Sequence, residues 1–268
     1  MSSLTVTIIQ TRLHWENKKA NLEMLQQKIE SIKEKTELVI LPEMFNTGFS
    51  MKPEFLAEKM DGETVQWMRK IAAEKKIVLT GSIMIEDPSA KAQGGKYFNR
   101  LIWMLPNGEF GVYDKRHLFG YANENEHYSA GNKKLIASVK GWKINLQVCY
   151  DLRFPVWARQ SPGEEHEYDM LIYVANWPDK RKHAWKTLLQ ARAIENQSYA
   201  IGVNCVGEDG NKIYYDGGST IIDPMGDVIY DKNKDEEIFT CTLEKKRVLQ
   251  VRNQFPFRRD ADSFLINK

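Results

Sequence analysis

Leu38-Val39-Ile40-Leu41 is an unbroken apolar run lying between two stretches of helical periodicity, and this pattern constrains the chain more than any other. A strand that is apolar on both faces must be covered on both sides, as the parallel strands of α/β folds are. Before it, Glu16–Lys35 carries Leu22, Leu25, Ile29 and Ile32 at spacings of three and four, one face of an amphipathic helix. After it, Val65, Met68 and Ala72 mark a second helix over Thr64–Lys76, and Ile77–Ile85 reads as the next strand. Leu4–Ile9 alternates Thr with apolar residues and supplies the strand before the first helix. This opening βαβαβ rhythm predicts an α/β architecture with short crossovers.

The middle of the chain changes character. Tyr97–Leu105 and Glu109–Tyr113 flank Pro106-Asn107-Gly108, whose Asn-Gly pair favours a hairpin turn. Trp142–Val148 and Met170–Ala175 read as strands, His183–Asn196 as a helix, and Ile201–Val206, Ser219–Ile222, Val228–Tyr230 and Ile238–Cys241 as further strands. Gly94-Gly95 and Gly217-Gly218 lack a phosphate-loop context and read as turns. A single open sheet with about a dozen strands tends to curl or split. Two mixed β-sheets packed face to face with helices outside, a four-layer α-β-β-α sandwich, accommodate them better. No repeat or Pro/Gly-rich linker interrupts residues 1–268, which reads as one domain.

Composition then removes whole classes of function. With 38 Lys+Arg against 36 Asp+Glu, a formal charge of +2 provides no basic field for a phosphate backbone, so nucleic acid is not an expected partner. Apolar runs such as MLIYVA fall well short of the ~20 residues that span a bilayer, and MSSLTVTIIQ lacks the pattern of a signal peptide. Cys149, Cys205 and Cys241 form no CxxC pair and no disulfide framework, and the histidines lack zinc spacing. The chain reads as soluble, reduced and cytoplasmic, with no metal.

Three segments set a reactive group just past an apolar strand, where α/β folds usually carry function. LVILPEMF delivers Glu43, with Pro42 stiffening the backbone before it. GVYDKRHLF delivers Lys115, and INLQVCYDLRFP delivers Cys149. Singly each has a plain reading: a solvated loop acid, a surface lysine, a small core thiol. Together they supply a carboxylate base, a fixed cation and a nucleophile, the parts that acyl transfer through a thioester requires.

LPEMFNTGF, YDKRHLF and QVCYDLRFP, in that order, resemble the three signature segments of the nitrilase, or carbon-nitrogen hydrolase, superfamily, and FPFRRDADSF resembles the closing segment of its amidase branch. CYDLRFP followed by VANWP, KHAW and ARAIENQ is most similar to the ω-amidases, which release ammonia from 2-oxoglutaramate or 2-oxosuccinamate. The chain departs from the pattern at Asn145, where relatives commonly place glycine. The resemblance implies Glu43 as general base, Lys115 as oxyanion-stabilising cation and Cys149 as nucleophile, with no cofactor and a homodimeric assembly. It also implies a second acidic residue. Glu124 and Glu126 are the candidates, and Glu124, seven residues before Gly131, has the usual spacing.

A small-molecule amide is the expected partner. The backbone N–H of Tyr150 joins Lys115 at the oxyanion, and Arg153 is the candidate for a substrate carboxylate, its alternative being an ion pair with Asp151. Phe45 and Trp177 are candidate pocket walls. Lys180-Arg181-Lys182 reads as a solvated entrance to a helix. Competing readings are a nitrile or carbamoyl hydrolase with the same three groups, a Cys-His hydrolase pairing Cys149 or Cys205 with His117, His127 or His183, and a non-catalytic interaction module.

Overall fold

The computed structural model describes residues 2–89, 96–160 and 167–266. In chain order the elements are β1 (Ser3–Gln10), α1 (Lys18–Glu30), β2 (Leu38–Ile40), α2 (Pro53–Leu56), α3 (Glu63–Lys75), β3 (Val78–Glu86), β4 (Tyr97–Met104) and β5 (Phe110–Asp114). Next come α4 (Glu124–His127), β6 (Ile136–Val139), β7 (Trp142–Val148), α5 (Pro155–Ala158), β8 (Met170–Ala175) and α6 (Lys182–Asn196). The chain continues through β9 (Tyr199–Asn204), β10 (Val206–Glu208), β11 (Tyr214–Ile222), β12 (Val228–Asn233), β13 (Glu237–Glu244) and α7 (Lys245–Gln254).

These strands form two mixed sheets. One runs β13-β1-β2-β3-β4-β5; the other runs β10-β11-β9-β8-β7-β6, with β12 also paired to β11. β2 lies parallel to both β1 and β3, and β8 parallel to both β7 and β9, so each sheet has a parallel centre and antiparallel margins. The apolar runs that mark these centres are explained by their surroundings. Along β2, Leu38 and Ile40 face the other sheet, while Val39 and Leu41 face α1 and α3. Along β8, Met170, Ile172 and Val174 face inward, while Leu171, Tyr173 and Ala175 pack against Trp185, Leu189 and Ala193 of α6. The expected layering of helices outside two packed mixed sheets is observed.

Local departures have local causes. α1 stops at Glu30 rather than Lys35, because the Ser31 N–H and hydroxyl satisfy the carbonyls of Gln27 and Lys28, and beyond Ile32, which still packs against the core, only Lys33, Glu34 and Lys35 precede Thr36. α7 has no earlier signature, since only Val248 and Val251 of its ten residues are buried. Gly217 and Gly218 are not a turn. They sit inside β11 at a bulge, with φ of +71° and +81°, and a Cβ on Gly217 would run into Gln10. Asn145 keeps the strand register opposite Leu171 and, buried, accepts a hydrogen bond from Gln147. Gly94-Gly95 lies outside the described residues.

Gly131 shows how closely the loop after α4 is pressed against the end of β5. Its N–H donates to the Lys115 carbonyl at 2.9 Å, and a Cβ there would stand 2.1 Å from the Asp114 carbonyl oxygen. Backbone cannot yield as a flexible side chain can. Gly131→Ala is expected to cost about 1–3 kcal/mol, read as a lower urea midpoint with an unchanged slope.

Candidate active site

Each reactive group sits where a strand stops and the backbone turns under restraint. β2 runs into Leu41-Pro42-Glu43, and Ser82 of β3 holds the exit, its hydroxyl accepting the Met44 N–H at 2.9 Å and its carbonyl the Phe45 N–H at 3.1 Å. Lys115 follows β5, its N–H donating to the Asn99 carbonyl at 3.0 Å. β7 ends in a 3-10 turn, Cys149–Arg153, entered with Cys149 at φ +42°. A non-glycine residue there is strained by about 1–3 kcal/mol and needs support from its surroundings. Asp151 provides it: Oδ2 accepts the Val148 N–H at 3.0 Å and the Tyr113 hydroxyl at 2.7 Å, and Oδ1 accepts the His117 N–H at 2.9 Å. Tyr113 and His117 flank Lys115, so one carboxylate ties the lysine loop of the first sheet to the cysteine turn of the second.

The side chains converge on a buried polar network. Lys115 Nζ donates to Glu43 Oε1 at 3.0 Å and to both oxygens of Glu124 at 3.0 and 2.9 Å. Asn99 Nδ2 donates to Glu43 Oε1 at 2.8 Å, and the Asn176 N–H to Glu43 Oε2 at 2.8 Å. The Phe119 N–H donates to Glu124 Oε2 at 2.6 Å. All three charged side chains have essentially no solvent exposure. Glu126, by contrast, is exposed on α4.

Charge and burial compete at each group. Burial would lower the pKa of Lys115, but Glu124 first and then Glu43 outweigh it and hold the ammonium charged well past its ordinary range. The Glu124 carboxyl is pushed up, chiefly by burial, with Lys115 pulling the other way. Burial and then the Glu43 charge push the Cys149 thiol well above its ordinary value, against the pull of Lys115. The sulfur is therefore a protonated thiol at neutral pH, held near Asn176, whose carbonyl lies 3.9 Å away.

Cys149 and Lys115 open onto a cavity of about 130 Å³. Phe49, Tyr150, Trp177 and Arg181 are among its walls. Arg153 also lines it, with its guanidinium stacked over the Trp177 ring at 5.0 Å. It makes no ion pair with Asp151, whose oxygens are taken by the contacts above. Asp209, the carboxylate on the cavity wall, is engaged by the Tyr215 hydroxyl and by the turn N–H groups of Asn211 and Ile213.

Several expectations need correction. Phe45 does not line the cavity: it is fully buried under β3, packed against Trp67 and the open face of Gly81, and Phe49 stands at the wall instead. Lys180 and Lys182 are exposed at the entrance to α6, as read, but Arg181, half-buried at its N-cap, also lines the cavity, with its guanidinium over the Phe119 ring at 4.9 Å. His117 bonds to Asp151 through Nδ1 at 2.8 Å and stacks on Phe154, and among the described residues no imidazole lines the cavity. Asn99 and Asn176 escaped sequence reasoning, although a polar residue in an apolar strand or just past one (FNRLIWM, LIYVAN) is the available signal. Among the described residues no group of three or more His, Cys, Asp or Glu is spaced to hold a metal ion.

The carbon-nitrogen hydrolase family model matches residues 5–253. The omega-amidase YafV of Yersinia enterocolitica is 38% identical over 99% of this chain and 100% of its own length. The 2-oxoglutaramate amidase of Bacillus subtilis is 29% identical over 94% of this chain and 95% of its own. Among solved structures, a CN-hydrolase superfamily protein from Xanthomonas campestris with an arsenic adduct in its active site superimposes with a TM-score of 0.94, at 40% identity and full coverage of both chains.

A half-buried protonated thiol facing a carboxylate should alkylate slowly at neutral pH. Reaction of Cys149 with iodoacetamide is expected to accelerate steadily from about pH 6 to about pH 9, without the acidic plateau of a preformed thiolate. Glu43→Gln removes the charge that raises the thiol pKa and should move this profile to lower pH. Mass spectrometry of the Cys149 peptide against time measures both.

Proposed function

Because the chain belongs to the carbon-nitrogen hydrolase family and is an amidohydrolase, we propose that it is a thiol-dependent ω-amidase. In this reading it hydrolyses the terminal amide of small 2-oxo dicarboxylic acid monoamides, such as 2-oxoglutaramate and 2-oxosuccinamate, to the 2-oxo acid and ammonia. One observation carries it: Lys115, held from behind by the buried Glu43 and Glu124, and Cys149 share a small cavity with Arg153, a guanidinium that no carboxylate among the described residues neutralises. The names of the relatives reported above support the same substrate class.

The mechanism follows from the charges. Two carboxylates and one ammonium give the resting cluster a net charge of minus one beside a neutral thiol. As Cys149 attacks the amide carbon, Glu43 takes the thiol proton and becomes neutral while the carbonyl oxygen becomes an oxyanion, so the net charge is conserved. Lys115 and the Tyr150 N–H at the cysteine turn stabilise that oxygen, each such donor being typically worth ~3–4 kcal/mol. Lys115 Nζ is held by Glu43 Oε1 and both oxygens of Glu124 while it lines the cavity, so it meets the oxyanion as a fixed positive charge. Glu43 then protonates the leaving nitrogen and ammonia departs, forming the thioester. A water deprotonated by the same carboxylate attacks the thioester, and Cys149 leaves with that proton restored. Glu124 orients Lys115 throughout.

Ammonia release from 2-oxoglutaramate, 2-oxosuccinamate, glutamine and a simple nitrile tests the reading. The two 2-oxo amides are expected to be turned over in preference to the others. Hydrolysis of the nitrile alone would overturn the proposal. Cys149→Ala and Glu43→Gln should each reduce kcat by roughly a thousandfold or more with the fold retained. Arg153→Ala should raise KM for the 2-oxo amides by about 10–100-fold, the worth of a charged hydrogen bond.

A further inference from the structure

Arg181 reaches the cavity by a route that fixes both ends of its side chain. It closes the 3-10 turn Asp179–Arg181, and its carbonyl accepts the indole N–H of Trp177 at 2.8 Å. Its guanidinium lies over the Phe119 ring at 4.9 Å. The Trp177 ring carries Arg153 on its face at 5.0 Å, while its indole N–H holds the backbone of Arg181. The nearby acids are occupied elsewhere: Asp209 on the cavity wall accepts from Tyr215, Asn211 and Ile213, and Asp179 and Asp216 both pair with Lys182, at 2.9 and 3.2 Å. Among the described residues no carboxylate pairs with Arg153 or Arg181. A guanidinium stacked on an aromatic face keeps its in-plane N–H fork free for a planar anion.

One carboxylate needs only one such fork. A second stacked and unpaired guanidinium at the same cavity matches a ligand with another acceptor beside the carboxylate. A 2-oxo acid has this third oxygen, conjugated with the carboxylate and near its plane. The corresponding 2-amino acid has an ammonium there, which a second fixed cation repels. Resting on the ω-amidase reading, we propose that Arg181 is a specificity-determining residue: it binds the 2-oxo oxygen and the carboxylate edge left by Arg153, and excludes amides bearing a 2-ammonium group. The attraction to one ligand and the repulsion of its near isostere come from the same charge.

The test compares three five-carbon amides: 2-oxoglutaramate, glutaramate without the 2-oxo oxygen, and glutamine. In Arg181→Gln, kcat/KM for 2-oxoglutaramate is expected to fall about tenfold or more through KM, a loss typical of one charged hydrogen bond. Glutaramate should fall less, and glutamine should be unchanged or improved. Arg181→Lys, which keeps the charge without the fork, should still reject glutamine while losing part of the preference for 2-oxoglutaramate over glutaramate. Thermal midpoints of both variants establish that they are folded. A folded Arg181→Gln enzyme that keeps the wild-type ratios among the three substrates, or loses all three equally, overturns the proposal. A wild-type enzyme inactive on both 2-oxoglutaramate and glutaramate overturns the ω-amidase reading and this inference with it. Wild-type turnover with unaltered discrimination in the variants overturns the inference alone.

Discussion

The ammonium of Lys115, lodged between the carboxylates of Glu43 and Glu124, is the interaction on which the rest of the arrangement depends. Removing two anions and a cation from water is costly, and their mutual attraction offsets that only if the remaining lone pairs are also satisfied. Asn99, the Asn176 N–H and the Phe119 N–H satisfy them, from β4, from the loop after β8 and from the loop before α4. Because Asn176 belongs to the second sheet and the others to the first, the cluster exists only when the two sheets have closed on each other. Ordinary apolar burial between β2 and β8 thus sets the position of the charged groups.

The position of Cys149 depends on a second tie of the same kind. Cys149 is held in a left-handed conformation that an isolated turn would leave, and Asp151 restrains it through Val148 while bonding to Tyr113 and His117 across the sheet interface. Tyr113 in turn accepts the Trp157 indole N–H at 2.9 Å. The histidine is thereby a structural donor to a carboxylate, which removes the feature that made a Cys-His pairing attractive. In the proposed mechanism the N–H of Tyr150, the next residue in the chain, serves as an oxyanion donor.

Much of this was legible in the chain itself, for physical reasons. β2 and β8 announce themselves because burial on both faces demands unbroken apolar sequence, and α1, α3 and α6 because one-sided burial demands a period near 3.6. Glu43 and Cys149 stand out because each ends such a run, and Lys115 because it follows the second strand of the Asn-Gly hairpin. α7 and Arg181 were not legible, for opposite reasons. α7 buries too few residues to show a period, whereas Arg181 stands in a run of three basic residues of which only its own guanidinium turns to the cavity. Phe45 misled because aromatic residues beside a reactive group serve core and pocket alike. Here the neighbouring strand carries Gly81, whose missing side chain opens a slot that draws the ring inward.

The protonation state of the sulfur separates this site from thiol hydrolases that keep a preformed thiolate. Burial first, and then the charge of Glu43, oppose ionisation of Cys149, which is why its pKa lies high. In the proposed mechanism attack is then concerted with proton transfer to Glu43, which confines the reactivity of Cys149 to moments when an electrophilic carbonyl is seated. The same reasoning explains why the guanidiniums stand at the wall rather than beside the sulfur. A further cation against Cys149 would stabilise the thiolate and weaken the grip of Lys115 on both carboxylates, whereas Arg153 on Trp177 and Arg181 on Phe119 offer charge for recognition while each is held to an aromatic ring.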